Sequence, residues 1–190
     1  MNNWKELHTS IQQCHSCALA ETRTQSVPGK GNHSASIMLV AEAPGKQEDL
    51  QGIPFVGSAG TVLNVLLTSA GLTRDDVYIT NIVKCRPPGN RDPLPQEQES
   101  CMPFLRNETA LLHPPIIVCL GRIAAQKLIA PNFKITKEHG MWVYRKGYWM
   151  TAVYHPSAIL RDPAKLEDAK KDFQNIAAKL KEIEESKYPL

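Results

Sequence analysis

Hydrophobic positions alternate along this chain between short β-branched runs and longer stretches with helical spacing. Apolar runs with the length of buried strands occupy residues 37–40, 77–83 and 116–120. Two further short strands are predicted within residues 142–154, on either side of Lys146-Gly147. Apolar residues recur every three or four positions in segments 4–13, 59–70, 95–112, 123–128 and 166–183. This alternation predicts an α/β fold with a mostly parallel sheet covered by helices on both faces.

The first predicted strand leads into a long loop rich in glycine, proline and acidic residues. It holds Glu42-Ala43-Pro44-Gly45, the acidic pair Glu48-Asp49 and the turn Pro54-Phe55-Val56-Gly57. Ligands of α/β sheets bind at the carboxyl ends of strands, and long loops in compact domains usually have a function. The pattern therefore predicts a binding site here; the alternative is an ordinary connection between a strand and a helix.

Composition narrows the class of protein. The 190 residues are enough for one domain with a sizeable core, and 42% hydrophobic with 22% charged residues is typical of globular proteins. No apolar stretch reaches membrane-spanning length and the N-terminus lacks the apolar core of a signal peptide, so we expect a cytoplasmic protein without a membrane partner. The net charge of +3 permits a nucleic-acid partner without arguing for one.

Four of the five cysteines are candidate metal ligands. Cys14 and Cys17 form a Cys-x-x-Cys pair near the N-terminus, and Cys85 and Cys101 follow the second strand, whereas Cys119 lies within a predicted strand and is expected to be buried. Four thiolates suit either zinc or an iron–sulfur cluster. The spacing does not choose between these two, and unpaired buried cysteines are the third possibility.

Polar residues also follow the other predicted strands. Asn81 ends the second strand and leads into a segment with three prolines, which predicts a rigid exposed loop carrying Lys84, Arg86 and Arg91. His155 follows the last strand and precedes a proline, which places its ring at the edge of the sheet. Since ligands of α/β sheets bind at strand ends, Asn81 and His155 are both candidate binding residues.

Taken in order, these segments resemble the family 4 uracil-DNA glycosylases, and they span residues 14–161. The matching segments are Cys14-x-x-Cys17, Glu42-Ala43-Pro44-Gly45 with Glu48-Asp49, Pro54-Phe55-Val56-Gly57, residues 80–91 (TNIVKCRPPGNR), Cys101, Leu120-Gly121 and His155-Pro156-Ser157-Ala158. The resemblance implies a three-layer α/β/α sandwich and the removal of uracil from DNA. It also implies a four-iron four-sulfur cluster on the four cysteines, within one domain spanning residues 1–190 that has an N-terminal cluster-binding segment and a C-terminal helix.

Two positions depart from the patterns of this superfamily. Ala41 stands where the family usually has glycine, and Ala43 stands where the best-known branch has a catalytic aspartate. The attacking water must then be handled by another group, and we expect Glu42 to position it or to stabilise the positive sugar. No histidine lies between Cys85 and Cys101, so covalent trapping of uracil DNA, known in one relative, is not expected.

The resemblance also implies roles for the residues around the base. The amide of Asn81 can donate to uracil O4 and accept from N3–H, while cytosine presents the opposite pattern. Phe55 is expected to stack on the base, and Ala43 to line the pocket. Glu48 and Asp49 are expected to line the pocket near C5 of the base and to help exclude the methyl group of thymine. His155 is expected to donate to uracil O2 as the leaving anion forms. A turn asparagine and a core phenylalanine are the structural alternatives.

Base flipping requires a wedge and contacts with phosphates. Leu160 is the predicted wedge, and the DNA-contacting residues implied by the resemblance are Lys84, Arg86, Arg91, Ser157 and Arg161. The expected partners are uracil-containing DNA and downstream repair or replication proteins, with the protein itself a monomer.

Two other classes of protein stay open from the sequence. One is a non-catalytic module that binds uracil DNA and has a structural cluster. The other is a zinc-stabilised α/β hydrolase of a nucleotide, in which Glu42, Glu48 and Asp49 would form a metal site.

Overall fold

The computed structural model describes residues 3–187. Its helices are α1 (Trp4–Gln12), α2 (Leu19–Thr22), α3 (Lys46–Gln51), α4 (Ser58–Ser69), α5 (Pro95–Leu112), α6 (Arg122–Leu128), α7 (Ile135–Glu138), α8 (Pro156–Arg161) and α9 (Leu166–Lys187). Its strands are β1 (Lys30–Gly31), β2 (Ile37–Ala41), β3 (Val77–Asn81), β4 (Ile116–Leu120), β5 (Val143–Arg145) and β6 (Tyr148–Val153). Single 3₁₀ turns lie at Arg74–Asp76, Pro88–Asn90 and Pro163–Lys165.

The described strands form one sheet in the order β1-β3-β2-β4-β6-β5. The four inner strands are parallel, and the short edge strands β1 and β5 pair antiparallel with their neighbours. Strand β2 lies at the centre, and the chain crosses to one side of it for β3 and to the other side for β4. Such a change of direction opens a crevice at the carboxyl ends of the strands, where α/β proteins bind ligands.

Buried side chains of the central strand alternate between two apolar cores. Met38 and Val40 pack in a cluster with residues of α5 and α6. Ile37 and Leu39 face the other way and pack with residues of α4 and α9. Because both faces of the sheet are covered by helices, the fold is the α/β/α sandwich predicted from the sequence.

Strand β3 is shorter than the run of residues 77–83 that predicted it from the sequence. It ends at Asn81, yet the N–H groups of Ile82 and Val83 still donate to the carbonyls of Ala41 and Glu42, at 2.8 and 3.2 Å. The extra apolar residues therefore continue the pairing with β2 past the formal end of the strand. This holds Asn81 beside the start of the loop that follows β2.

The loop after β2 is more ordered than we predicted. It contains the six-residue helix α3, which ends at Gly52 in the left-handed conformation. The long helix α5 begins with Pro95, where a missing N–H does no harm, and ends at His113, also left-handed. The remaining strands and helices predicted from the sequence are confirmed to within a few residues.

Between Asn3 and Lys187, none of the helices combines the length and the apolar composition needed to cross a bilayer. The single domain predicted over residues 1–190 stays a prediction, and Met1, Asn2 and residues 188–190 lie outside the described residues.

Candidate active site

A cleft of about 500 Å³ opens at the carboxyl ends of the four parallel strands. Glu42 follows β2, Asn81 ends β3, Gly121 follows β4 and His155 lies two residues beyond β6. The residues named from the sequence that line this cleft are Glu42, Ala43, Glu48, Phe55, Asn81, Arg91, His155, Ser157 and Arg161. The fold therefore brings the residues expected to act on the base into one cavity.

Asn81 supplies an unused hydrogen-bonding group to this cleft. The residue is 2% exposed, and its side-chain Oδ1 has no hydrogen-bond partner among the described residues. Buried polar atoms are almost always paired, so an unpaired acceptor at the wall of a cavity is the arrangement of a ligand-binding group. The side chain is thus placed differently from a turn asparagine, which would bond to its own loop.

His155 is held through one of its two ring nitrogens. Its Nδ1 accepts from the main-chain N–H of Ser157 at 3.1 Å and lies 2.7 Å from the Ser157 hydroxyl oxygen. Burial, and to a lesser degree the nearby Arg161 cation, lowers the pKa of His155 to about 4. The ring is consequently neutral at pH 7 with its proton on Nε2, so it can donate one hydrogen bond from that atom.

Gly121 allows the histidine to lie close to the end of β4. A Cβ atom on this glycine would lie 2.8 Å from Cβ of His155, and the residue has a φ of +92°. Both the contact and the backbone conformation exclude other residues. The Leu120-Gly121 pair noted in the sequence therefore has a packing role beside His155.

Phe55 lies in the cleft in a strained backbone conformation. Its φ is +55°, and its ring centroid is 5.7 Å from that of His155. The guanidinium of Arg74 donates to the carbonyl oxygen of Phe55 at 2.5 Å, which holds the turn in this conformation. Strain of this kind at a non-glycine residue concentrates at functional sites.

Glu48 shapes the loop that carries Phe55. Its Oε1 accepts from the main-chain N–H groups of Val56 and Gly57, at 3.0 and 2.9 Å, directly before helix α4. A carboxylate here is favoured by the positive end of the helix dipole. Glu48 lines the cleft, but the oxygen involved in these contacts is already engaged by the protein.

Glu42 has the electrostatics of a titrating group near neutral pH. Burial and, secondarily, the negative charge of Asp92 raise its pKa to about 7, while the Arg122 cation opposes the shift. Arg122 Nη2 pairs with Asp92 Oδ2 at 2.7 Å at the mouth of the cleft. Burial therefore has the largest effect on the pKa of Glu42, and the charges of Asp92 and Arg122 adjust it in opposite directions.

A family model described as the uracil DNA glycosylase superfamily matches residues 28–181. This chain belongs to that superfamily. It is 44% identical to a type-4 uracil-DNA glycosylase of Archaeoglobus fulgidus, over 93% of this chain and 92% of the relative. It is 42% identical to a type-4 enzyme of Thermotoga maritima over 80% of both chains, and 40% identical to one of Sulfurisphaera tokodaii over 93% and 84%. These findings confirm the resemblance inferred from the motifs.

Two residues that the sequence predicted for the uracil pocket and for DNA contact, Asp49 and Lys84, lie elsewhere in the structure. Asp49 is buried and both its carboxylate oxygens accept from the main-chain N–H of Thr24, at 2.9 and 3.2 Å, so it does not line the cleft. Lys84 is 1% exposed and forms an ion pair with Glu108 at 2.7 Å. The expected contact between Lys84 and DNA phosphates is therefore wrong, because its ammonium group lies inside the protein.

The other residues predicted to contact DNA lie at or near the surface. Arg161 and Leu160 are exposed on the short helix α8, next to the cleft, with Leu160 47% exposed. Arg91 lines the cleft and makes a two-pronged contact with the carboxylate of Glu97. Arg86 is partly buried, and its Nε donates to Asn90 Oδ1 at 2.7 Å. Ser157 lines the cleft, and its main-chain N–H donates to Nδ1 of His155. The contacts of all five residues with DNA stay predictions.

The four predicted metal-binding cysteines line a second, smaller cavity between the N-terminal segment and α5. Arg23 Nη1 donates to Cys85 Sγ at 3.0 Å, and the main-chain N–H of Lys84 donates to Cys101 Sγ at 3.2 Å. Burial raises the pKa of Cys85 and that of Cys101, the latter to about 12. Burial thus favours the neutral thiols, and a metal bound by these sulfur atoms would deprotonate them.

The donor set of this cavity fits a cluster bound by sulfur, with N–H groups directed at two of the sulfur atoms. Among residues 3–187, no group of three or more His, Cys, Asp or Glu side chains is arranged to hold a single metal ion. Glu42, Glu48 and Asp49, the acidic site of the hydrolase alternative, are separated because Asp49 faces Thr24. Cys119 is buried within β4, as predicted.

Three residues of the site were missed from the sequence. Asp92 and Arg122 form the charge pair that acts on Glu42, and Tyr154 lines the cleft before His155. Arg122 and Tyr154 lie within two residues of the ends of β4 and β6, and this position after a strand is the signal that could have identified them. Nothing in the sequence indicates that Asp92, in a proline-rich loop, faces Glu42.

Proposed function

We propose that this protein removes uracil from DNA by hydrolysing the bond between the base and the deoxyribose. The observation that carries the proposal is the unpaired Oδ1 of Asn81, buried in the wall of a cleft that also holds Phe55 and His155. The matches to type-4 uracil-DNA glycosylases support it. A base must leave the helix to reach such a cleft, as in other enzymes that act on bases.

Recognition of uracil follows from the chemistry of the Asn81 amide. Its Oδ1 accepts from uracil N3–H, and its amide N–H donates to O4, so two adjacent groups on the Watson–Crick edge of the base are paired. Cytosine has an acceptor at N3 and a donor at C4, so both contacts become repulsive. A site built on such bonds rejects the mismatched ligand by about 10⁴-fold, because buried polar groups are left without partners.

Departure of the base is assisted by His155. Cleavage leaves negative charge on uracil, delocalised onto O2, and an N–H donor aimed at that oxygen stabilises the transition state. The Nε2–H of the neutral ring is the available donor, since Nδ1 is engaged by Ser157. A neutral donor also avoids the cost of bringing a charged imidazolium into a buried cleft.

Glu42 acts on the sugar side of the bond. In its ionised form it orients the attacking water and stabilises positive charge on the deoxyribose. With a pKa of about 7, the carboxylate is half ionised at neutral pH and becomes more so as the pH rises. Ala43, the neighbouring residue, has no group that could take this role, and Glu48 Oε1 is engaged by the N–H groups of Val56 and Gly57.

We further propose that Cys14, Cys17, Cys85 and Cys101 hold a four-iron four-sulfur cluster. Bound there, such a group would serve as a scaffold, joining the N-terminal segment to the loop after β3 and to α5. Its cavity is separate from the cleft and shares none of the cleft's lining residues. An absorption band in the visible spectrum and the iron content of the purified protein test this proposal, since a zinc site is colourless.

The activity is tested with an end-labelled oligonucleotide containing one uracil, treated with alkali after incubation to break any abasic site. We expect cleavage at uracil and none in matched oligonucleotides with thymine or cytosine. Asn81→Asp, which keeps the size of the side chain, should abolish uracil removal or move the preference toward cytosine. Retained binding of uracil DNA without any abasic site would contradict catalysis and favour the non-catalytic module.

A further inference from the structure

Lys84 lies in a closed network beneath the uracil-facing residue. Its ammonium nitrogen donates to Thr80 Oγ1 at 2.7 Å, to the main-chain oxygen of Asn81 at 2.6 Å and to Glu108 Oε2 at 2.7 Å. An ammonium group has three N–H bonds, so each has one acceptor. The residue is 1% exposed, and solvent does not compete for these contacts.

Glu108, on helix α5, completes the network from the other side. Its Oε1 accepts from the main-chain N–H of Gly29 at 3.0 Å and lies 3.3 Å from the hydroxyl of Tyr78. Its Oε2 accepts from Thr80 at 2.8 Å in addition to Lys84. A fully satisfied polar network in a low-dielectric interior is rigid, because no member can move without leaving a partner unpaired.

The main chain of Lys84 also contacts the cavity lined by the four cysteines. Its N–H donates to Cys101 Sγ at 3.2 Å, and its carbonyl oxygen accepts from the N–H of Val27 at 2.7 Å. One residue thus contacts the end of β3, helix α5 and the N-terminal segment. The ammonium contact with the main-chain oxygen of Asn81 links Lys84 to a residue that lines the cleft.

We propose that Lys84 is a positioning residue that holds the backbone of Asn81 and thereby sets the place of its amide in the uracil site. The side-chain Oδ1 of Asn81 has no partner within the described residues, so the side chain itself does not fix the orientation of the amide. A recognition group must stay within about 0.5 Å of its productive position. The main-chain contact at 2.6 Å is the constraint that the structure provides.

A buried ion pair is a weak source of stability compared with apolar residues of the same volume, because both ions lose their hydration. The Lys84–Glu108 pair contacts the main chain of Asn81, and this contact fits a role in positioning that residue. The proposal rests on the proposed function of Asn81 in binding uracil. It replaces the surface role expected for Lys84 from the sequence.

The test compares two variants that differ only at Lys84. Glu108→Gln keeps an acceptor for Gly29 and leaves Lys84 its contact with the Asn81 carbonyl. The double variant Lys84→Met, Glu108→Gln removes that contact without leaving a buried carboxylate unpaired. The measurements are inhibition by free uracil, the single-turnover rate on uracil DNA, and the affinity for duplex DNA with an abasic site, which has no base for Asn81 to bind.

We expect the double variant to bind free uracil at least tenfold more weakly than Glu108→Gln, with a similar loss of rate. Its affinity for abasic DNA should stay within twofold, and its visible absorption should be unchanged. Equal inhibition of the two variants by uracil would overturn the proposal. An equal loss of affinity for uracil and for abasic DNA would also overturn it, since that result indicates general damage to the fold.

Thr80→Val provides a second test that keeps both buried charges. It removes one of the three acceptors of Lys84 and should weaken inhibition by uracil about threefold while abasic DNA binds normally. Unchanged inhibition in a folded Thr80→Val protein would count against positioning by this network. A wild-type protein that neither releases uracil from DNA nor is inhibited by it would instead contradict the proposed function.

Discussion

The main-chain N–H of Ser157 lies 3.1 Å from Nδ1 of His155, and this contact determines which ring nitrogen carries the proton. A main-chain N–H can only donate, so Nδ1 must accept and the neutral ring is protonated at Nε2. The proline between the two residues begins helix α8, so the donor is part of the first turn of that helix. The chain thus presents a neutral donor to the cleft without the help of a carboxylate.

Replacing His155 by alanine should slow the chemical step by about a hundredfold or more, as for other donors that stabilise a developing anion. Single-turnover rates on uracil DNA measure this directly. Ser157→Ala is the matched control, because it removes the hydroxyl but keeps the main-chain N–H, and it should lose less than tenfold. A wild-type rate for His155→Ala would mean that the leaving group is stabilised elsewhere.

The pH dependence of the chemical step should follow Glu42, whose pKa is raised to about 7, and not His155, whose pKa is lowered to about 4. We expect the rate to rise with pH through about 7, since the ionised carboxylate is the active form. Asp92→Asn removes a negative charge that raises this pKa and should move the rise to lower pH. Arg122→Gln removes the opposing cation and should move it to higher pH.

Asp92→Asn and Arg122→Gln serve as mutual controls in the pH experiment, because they are expected to shift the pKa of Glu42 in opposite directions. Glu42→Gln should remove the rise altogether. A profile that stays unchanged in both Asp92→Asn and Arg122→Gln would exclude Glu42 as the titrating group. A fall of the rate through pH 7 would require the protonated form to be active.

Replacing Leu160 by alanine should reduce activity on double-stranded DNA about tenfold or more, with a smaller loss on single strands. The side chain is 47% exposed on α8 beside the cleft, where it can fill the gap left by a flipped base, and unstacking costs a few kcal/mol only in a duplex. Leu50→Ala is the control, since Leu50 is 49% exposed on α3 and does not line the cleft. Equal losses on both substrates would remove the wedge role.

Gly60→Ala should disrupt the turn that presents Phe55. A Cβ atom at this position would lie 1.9 Å from the carbonyl oxygen of Phe55, so the turn must move, and crowding of this kind costs about 1–3 kcal/mol. Thermal unfolding and the inhibition constant for free uracil should both be affected. Gly71→Ala, at a positive φ with nothing within 4 Å, should lower stability by about 1 kcal/mol but leave inhibition by uracil unchanged.

Most of the sheet was predictable because its buried strands are short runs of β-branched residues separated by helical patterns. The same logic placed Glu42, Asn81 and His155 each at the end of a strand, and the structure brings them together because these parallel strands end at one edge of the sheet. The family was identified from the order of the motifs, and the superfamily match together with the similarity to type-4 uracil-DNA glycosylases confirms it. These features depend on the local sequence and on general rules of topology.

Features that depend on contacts distant in sequence were not predictable. Lys84 lies in a segment with the composition of an exposed loop, and only the approach of Glu108 from α5 shows that it is buried. Asp49 differs from its neighbour Glu48 because the N-terminal segment covers one side of α3, where Thr24 donates to it. Hydrophobic periodicity carries no information about such pairs.

The arrangement of the cleft at four strand ends has a consequence for how the protein folds. Glu42, Asn81 and His155 are brought together only when β2, β3, β4 and β6 have all aligned, so the site depends on contacts between residues far apart in the sequence. Such topologies form slowly, because the chain entropy lost in closing long loops precedes the gain from strand pairing. A partly folded chain that lacks β6 would retain buried strands and helices but would have no His155 in the cleft, so activity is expected only after β6 has joined the sheet.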